Sequence, residues 1–251
     1  MAVANQKGGV GKTTTAINLS AALAAFDHKI LLVDLDAQAN ATSGLGFTRQ
    51  GEGLTTYDVL LGGSAAEGIQ PTAFPNLWLL PSGRDLVGAE VELVDKAGRE
   101  THLRAALEPV RGDYEYLFVD CPPSLSLLTV NALTAADSVL IPIQTEYFAL
   151  EGLTELLETI ARVRTAYNPG LAIEGIVLTM HDDRTNLARQ VTDDIRRHFA
   201  DEVYKTVIPR NVRLGESPSF GQPVLAYDIK SRGAEAYLAL GREFLKRGAK
   251  S

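Results

Sequence analysis

The chain has 251 residues, of which 45% are hydrophobic and 22% are charged, proportions typical of a globular protein. We expect residues 1–251 to form a single domain, because α/β domains of this length are common. The single cysteine, Cys121, excludes an internal disulfide, and no apolar run of about 18 residues could span a bilayer. Since there is also no signal peptide, the sequence predicts a cytoplasmic protein.

Strand and helix patterns alternate along the chain. Buried β-type runs predict strands at 2–5, 29–34, 77–80, 116–120, 138–143 and 173–180, and a shorter strand at 205–208. Helical periodicity predicts helices at 14–25, 103–110, 127–135, 150–167, 187–199 and 234–246. This alternation predicts an α/β fold, a mostly parallel twisted sheet with helices on both faces and ligands at the carboxyl ends of the strands.

A glycine-rich loop follows the first predicted strand and has the deviant Walker A form of a P-loop. It fits the general pattern G-x-x-x-x-G-K-[ST] only if the first glycine is displaced by one position, and it carries a second lysine that an ordinary P-loop lacks. The loop consists of Lys7, Gly8, Gly9, Val10, Gly11, Lys12, Thr13 and Thr14.

The residue types of this loop suit a polyphosphate. Gly8, Gly9 and Gly11 have no Cβ and tolerate positive φ, so successive backbone N–H groups can turn inward around the anion. Lys12 would place a positive charge at the β- and γ-phosphates, and Thr13 would offer its hydroxyl to Mg²⁺. The helix that begins here directs its N-terminal dipole at the same anion.

Three aspartates follow predicted strands and complete a nucleotide site. Asp120 ends the apolar run 116–119 and fits a Walker B carboxylate that holds Mg²⁺. Asp34 and Asp36 lie at the end of the second strand, where alternation predicts that they point the same way. One of them would organise the metal, and the other would position the water that attacks the γ-phosphate. The predicted metal ligands are Thr13, Asp34 and Asp120.

Five segments together resemble the ParA family of chromosome-partitioning ATPases, of the short Soj type, in the MinD/ParA superfamily. They are residues 5–14, 33–40, 120–124, 146–152 and 207–213. The resemblance covers essentially the whole chain. Ala37 and Ala39 depart from it, because they replace the more usual proline and glycine of the switch segment.

The resemblance implies a role for several residues. Lys7 would be the signature lysine that reaches the nucleotide of the other subunit in an ATP-sandwich dimer, whereas Lys12 would serve its own ATP. Asp36 matches the residue needed for hydrolysis. The segment that recognises adenine would be Pro209, Arg210 and Asn211.

The function implied is a DNA-partitioning switch. ATP and Mg²⁺ would join two subunits, the dimer would bind DNA without sequence preference, and slow hydrolysis stimulated by a ParB-type partner would release it from the nucleoid. Residues 184–251 carry 13 lysines and arginines against eight acidic residues, a net charge of +5, whereas residues 1–183 carry −12. Arg184 and Arg213 match positions implicated in DNA contact, and to these we add Lys230 and Arg232.

Three other classes share the loop. A MinD-like membrane-associated ATPase of the cell-division site would use a C-terminal amphipathic helix, which residues 243–247 superficially resemble, although the apolar spacing there suits core packing better. A nitrogenase-reductase-like electron carrier would need more cysteines than one. A metabolic P-loop ligase or kinase would need a small-molecule pocket, for which the sequence has no signature.

Overall fold

The computed structural model describes residues 1–48, 53–146, 149–182 and 184–248. Within these ranges seven strands form one sheet. They are β1 Ala2–Val3, β2 Ile30–Asp34, β3 Gln70–Pro71, β4 Leu77–Leu80, β5 Tyr116–Asp120, β6 Ser138–Gln144 and β7 Ala172–Thr179. The order across the sheet is β3-β4-β2-β5-β1-β6-β7, and only the β3–β4 pair is antiparallel.

Helices connect the strands. The long ones are α1 Lys12–Ala24, α7 Leu127–Ala135, α8 Ala149–Ala166, α9 Asn186–His198 and α12 Arg232–Gly248. The short ones are α2 Asn40–Gly44, α3 Thr56–Leu60, α4 Ala65–Gly68, α5 Leu86–Glu92, α6 His102–Leu107, α10 Val212–Glu216 and α11 Val224–Tyr227, with 3₁₀ turns at Glu108–Asp113 and Ser217–Phe220. None of the helices in the described ranges has the length and hydropathy needed to cross a bilayer.

The sheet is covered on both faces because its central strands are apolar on both faces. In β2, Ile30 and Leu32 pack in one cluster with α1 and α12, whereas Leu31 and Val33 pack in a second cluster with α5 to α9. All four side chains are fully buried. A continuous apolar run is typical of a parallel strand that lies between two helical layers. The predicted α/β fold is therefore confirmed.

The predicted strand at 205–208 is wrong. Lys205 N and Thr206 N do not join the sheet, since they donate to the Glu243 carboxylate at 2.7 and 2.8 Å. The Thr206 hydroxyl donates to the same carboxylate at 2.7 Å. Ile208 N does donate to the Leu178 carbonyl oxygen at 2.8 Å, and isolated bridges join Val203 to Ile176 and Pro209 to His181, so this part of the chain touches β7 without forming a strand.

Most other predicted elements lie within two residues of the observed bounds. The helix predicted at 103–110 differs more, because its α-helical part ends at Leu107 and a 3₁₀ turn that begins with Glu108 and Pro109 follows it. Pro109 has no N–H with which to continue the helical ladder. The opening strand is also short, since it ends at Val3.

We expect Gly175→Ala to destabilise the fold by about 3 kcal/mol, because positive-φ strain adds to overpacking. Gly175 lies in β7 at φ 154°, and a Cβ there would lie 2.6 Å from the Glu202 carbonyl oxygen and 2.7 Å from the Tyr204 ring. Gly112→Ala is the matched control, because no atom lies within 4 Å of a Cβ at that position. Urea denaturation measures both variants, and equal midpoints would contradict the expectation.

Candidate active site

The glycine-rich loop joins β1 to α1 and leaves the first turn of that helix open to an anion. Gly9 and Gly11 take positive φ, 75° and 86°, whereas Gly8 does not. Gly11 is the N-cap residue of α1, and no side chain caps the helix or places an acid in its first turn. Val10 is anchored, since its carbonyl oxygen accepts a hydrogen bond from the Thr179 hydroxyl at 2.8 Å. The first N–H groups of α1 are therefore available to a phosphate.

Lys12 lies inside the loop. Its Nζ donates to the Lys7 carbonyl oxygen at 3.1 Å, and the residue is only 6% exposed. Burial lowers the pKa of the Lys12 ammonium, whereas the nearby carboxylates of Asp120 and Asp36 act in the opposite direction. A desolvated ammonium group at this position is a strong local source of positive potential.

Lys7 has a different environment. Its Nζ donates to the Glu146 carboxylate of the same chain at 2.9 Å, and 35% of its side chain is exposed. Its backbone N–H donates to Asn5 Oδ1 at 3.0 Å. The structure therefore separates the two lysines of the loop, with Lys12 turned inward and Lys7 turned outward. Tyr147 and Phe148, which follow Glu146 in the family segment, lie outside the described residues.

Asp34 and Asp120 lie side by side at the ends of β2 and β5, where the parallel register pairs them directly. Both are fully buried. Asp34 accepts hydrogen bonds from Thr42 N at 2.8 Å, Thr42 Oγ1 at 2.7 Å and Asp36 N at 3.2 Å. Neither carboxylate oxygen of Asp120 has a hydrogen-bond partner of good geometry in the described part of the chain.

Burial makes the ionisation of these carboxylates costly, and nearby like charges add to the cost. Burial raises the pKa of Asp34 to about 6, although the hydrogen bonds from Thr42 and Asp36 N oppose the shift. Burial also raises the pKa of Asp120 well above its usual range, and the charge of Asp34 adds to that effect. The Thr13 hydroxyl and the Lys12 ammonium act against it. A cation placed here would stabilise the ionised form of both carboxyl groups and so lower both pKa values.

A metal ion at this position would need ligands beyond the protein carboxylates. The described ranges contain no group of three or more His, Cys, Asp or Glu side chains arranged to hold a metal. Mg²⁺ is usually bound by one or two carboxylates together with waters and substrate phosphates. Two buried carboxylates beside the Thr13 hydroxyl and the anion-binding loop therefore fit Mg²⁺ better than a metal held by protein ligands alone.

Asp36 lies beyond the end of β2, so strand alternation does not determine its direction. It is 9% exposed, and its Oδ1 accepts a hydrogen bond from Gln38 N at 2.9 Å. The Asp36 carbonyl oxygen accepts one from Ala39 N at 2.8 Å, which closes a tight turn. Ala39 has φ 50° in this turn, a left-handed conformation that glycine would adopt without strain.

The predicted adenine segment lies next to the end of β7. Arg210 N donates to the His181 carbonyl oxygen at 3.2 Å, and the Asn211 side chain caps α10. Pro209 and Arg210 line a groove of about 1040 Å³ that does not include the P-loop. Thr13 and Thr14 instead line a pocket of about 250 Å³ beside α1, α2 and the 3₁₀ turn at 217–220. The described residues thus place the two predicted parts of the nucleotide site in two separate cavities.

The four predicted DNA-contacting residues are exposed, and two of them line the groove beside the predicted adenine segment. Arg184 and Arg232 line it together with Arg210. Arg184 is paired with Asp182 at 2.6 Å, and Arg213 is paired with Glu216 at 2.7 Å and Asp228 at 3.2 Å.

In the described ranges, Lys230 and Arg232 have no ion-pair partner. The groove also contains Arg196, which the sequence reasoning did not name. Asp183, beside Arg184, lies outside the described residues.

Comparison with known proteins places this geometry in a family. A family model described as an AAA domain matches residues 1–173. The chromosome partitioning protein ParA of Caulobacter vibrioides is 55% identical over 250 residues, which cover 98% of this chain and 94% of the relative. The sporulation initiation inhibitor protein Soj of Bacillus subtilis is 53% identical over 99% of this chain and 98% of its own length.

Among solved structures, cobyrinic acid a,c-diamide synthase of Mycobacterium smegmatis with bound ADP and magnesium is 38% identical. It superposes with a TM-score of 0.87 over 99% of this chain and 94% of its own. The partitioning proteins are closer in sequence than this structure is. The chain belongs to the ParA/Soj family of chromosome-partitioning ATPases.

Proposed function

We propose that this protein is an ATP-dependent DNA-partitioning switch. ATP and Mg²⁺ bind at the P-loop, and two subunits join face to face as an ATP sandwich. The dimer binds double-stranded DNA without sequence preference and associates with the nucleoid. Slow hydrolysis, stimulated by a ParB-type centromere-binding partner, releases the DNA. The observation that carries this proposal is the opposite orientation of the two lysines of one phosphate-binding loop.

Lys12 and Lys7 suit different nucleotides. The buried Lys12 ammonium serves the phosphates bound by its own loop, together with the N–H groups of residues 8–14. Lys7 is turned away, and among the described residues its ammonium group is paired with Glu146 alone, with both side chains partly exposed. An ion pair of this kind contributes at most about 1 kcal/mol, so a neighbouring triphosphate can replace Glu146 at little cost.

Mg²⁺ supplies charge neutralisation and orientation of the phosphate oxygens when it is bound. Asp34, Asp120 and the Thr13 hydroxyl are the residues proposed to hold it. The support for this assignment is the pair of Asp120 oxygens, which are buried and lack a hydrogen-bond partner among the described residues. Asp36, at the rim of this pair, is proposed to orient the attacking water for in-line displacement.

The adenine and DNA assignments share one region. Pro209, Arg210 and Asn211 are proposed to recognise the adenine, and the bridge from Pro209 to His181 connects them to the strand whose Thr179 anchors the P-loop. Arg184, Arg213, Lys230 and Arg232 are proposed to contact DNA phosphates. The support for Arg184 and Arg232 is the concentration of arginines in the groove, which a two-fold axis would double, and the support for Arg213 and Lys230 is their exposure in the basic C-terminal part of the chain.

The MinD-like alternative is less well supported. Tyr237, Leu240 and Phe244 of α12 are buried against the core, and the Tyr237 hydroxyl lies 3.1 Å from Thr15 Oγ1. Glu243 holds the 205–206 segment, and the Arg247 guanidinium stacks on the Tyr204 ring at 3.9 Å. The apolar face of α12 is therefore buried against the core rather than exposed to a membrane. Ala249 to Ser251 lie outside the described residues.

The experiment that tests the whole switch is gel filtration combined with DNA retention in the presence of ADP, ATP or a non-hydrolysable ATP analogue. We expect a dimer that retains DNA with ATP or the analogue, and a DNA-free monomer with ADP. A particle that remains monomeric with the analogue would overturn the sandwich.

We expect Asp36→Ala to bind ATP and to remain a DNA-bound dimer, with hydrolysis reduced by about 100-fold or more because the attacking water loses its orienting group. Phosphate release and DNA retention measure the two effects. Lys12→Ala is the companion variant, which should bind no nucleotide. Normal turnover by Asp36→Ala would remove Asp36 from the mechanism.

The buried carboxylates predict a pH dependence of stability in the metal-free protein. The pKa of Asp34 is raised to about 6 in the folded state, from an ordinary value of 3.8, so the folded chain keeps a proton that the unfolded chain releases between these two pH values. Stability therefore falls as the pH rises through this window, by roughly 3 kcal/mol, and the raised pKa of Asp120 extends the fall to higher pH.

Asp120→Asn should flatten the upper part of this fall, because it removes the carboxyl group whose raised pKa extends the fall to higher pH. Urea denaturation between pH 4 and 8 with EDTA measures the difference from the wild-type protein, and the exposed Asp113→Asn is the control. Identical pH profiles for the wild type and Asp120→Asn would show that the carboxylate pair does not set the dependence.

For DNA, we expect Arg213→Ala to leave ATP-dependent dimerisation intact and to weaken DNA retention. The slope of log K against log salt concentration should decrease in magnitude by about 1, since one phosphate contact is lost. Arg162→Ala is the matched control, because Arg162 is exposed on α8, away from the groove. Unchanged retention across the salt titration would exclude Arg213 from the DNA surface.

A further inference from the structure

Ser82, which follows β4, contacts Asp36 directly and is connected to Asp34 through Thr42. Ser82 is 2% exposed, and its hydroxyl donates to the Asp36 carbonyl oxygen at 2.8 Å. Its backbone N–H donates to Thr42 Oγ1 at 2.9 Å. Ser82 thus connects the turn at Asp36 with helix α2, which begins at Asn40.

Thr42 connects Ser82 to Asp34 through hydrogen bonds. Its hydroxyl donates to Asp34 Oδ2 at 2.7 Å, and its backbone N–H donates to the same oxygen at 2.8 Å. A hydroxyl has one proton to donate, so the Thr42 oxygen accepts from Ser82 N while it donates to Asp34. The direction of each hydrogen bond in the chain from Ser82 to Thr42 to Asp34 is therefore fixed.

The turn at Asp36 is stabilised by the hydrogen bond from the Ser82 hydroxyl. The Asp36 carbonyl oxygen accepts from Ala39 N as well as from Ser82 Oγ, both at 2.8 Å, so both of its lone pairs are used. Ala39 holds a left-handed φ of 50° in this turn, which costs about 1 kcal/mol or more for a residue with a Cβ. A second hydrogen bond on the carbonyl oxygen offsets this strain and fixes where the Asp36 carboxylate points.

We propose that Ser82 is a positioning residue for ATP hydrolysis, which fixes the turn that presents Asp36 and, through Thr42, orients the Asp34 carboxylate. The inference rests on the proposed function, because it takes Asp36 as the hydrolytic carboxylate and Asp34 as a metal ligand. Its physical basis is that a misplacement of about 1 Å at a reacting group can cost about 100-fold in rate.

The first test is Ser82→Ala. We expect kcat for ATP hydrolysis to fall by about 10-fold or more, with the affinity for ATP within about twofold of wild type, since the binding loop is not touched. Ser82→Thr, which keeps the hydroxyl, should recover most of the rate. Ser20→Ala is the matched control, because Ser20 is fully buried on α1 and its hydroxyl has no hydrogen-bond partner among the described residues.

A double-mutant cycle separates positioning from a general loss of structure. If Ser82 acts through Asp36, Ser82→Ala should lower the rate in the wild-type background and have no further effect in the Asp36→Ala background. A merely structural role would lower the rate equally in both. Equal losses in the two backgrounds, or an unchanged kcat in Ser82→Ala, would overturn the inference.

Thr42→Val tests the other branch of the network and provides a second variant should Ser82→Ala fold poorly. It keeps the shape of the side chain and removes the hydroxyl between Ser82 N and Asp34, so the Mg²⁺ concentration for half-maximal hydrolysis should rise several-fold. An unchanged Mg²⁺ requirement would overturn this branch. If Asp36→Ala itself retains normal turnover, the proposed function fails instead, whatever the behaviour of Ser82.

Discussion

Two buried carboxylates at the ends of neighbouring parallel strands are the constraint on which the site depends. The register that pairs Asp34 with Asp120 follows from the parallel sheet, so neither strand can move its carboxylate away without losing its ladder of hydrogen bonds. Burial makes both charges costly, and among the described residues Asp34 accepts well-formed hydrogen bonds whereas the Asp120 oxygens accept none of good geometry. The protein alone therefore leaves this region short of positive charge. The inward Lys12 supplies part of it, and a cation with its phosphate ligand would supply the remainder.

The same electrostatic logic explains why the loop has two lysines with different environments. Lys12 is desolvated beside the carboxylates, where a charge acts strongly over short distances. Lys7 is partly exposed and paired with Glu146, where a charge is screened and its partner is easily exchanged. A fixed inner charge suits permanent ligand binding, and an exchangeable outer charge suits a contact that forms and breaks. Under the proposed function, the cycle between monomer and dimer uses this difference.

The sheet and the P-loop could be predicted from the sequence because both depend on local residue patterns. Apolar runs bounded by polar residues defined the strands at 77–80 and 116–120 with their observed bounds. The prediction of a strand at 205–208 failed because the backbone N–H groups of Lys205 and Thr206 donate to Glu243, nearly forty residues away, and no local pattern reveals such a contact. Thr42 and Ser82 were missed for the same reason. Each is an ordinary hydroxyl residue in the sequence, and each gains a role only because the ends of β2 and β4 are neighbours in the sheet.

The arginine-lined groove contains both a residue proposed to recognise adenine and residues proposed to bind DNA. Arg210 belongs to the predicted adenine segment, yet its side chain shares a groove with Arg184 and Arg232 of the predicted DNA surface. Backbone hydrogen bonds join this segment to His181, two residues beyond Thr179, the last residue of β7, which anchors the P-loop. A ligand that orders the adenine segment would thereby also fix one wall of the groove. Under the proposed function, this gives nucleotide binding a short physical route to the proposed DNA surface within one subunit, in addition to the doubling of that surface in the proposed dimer.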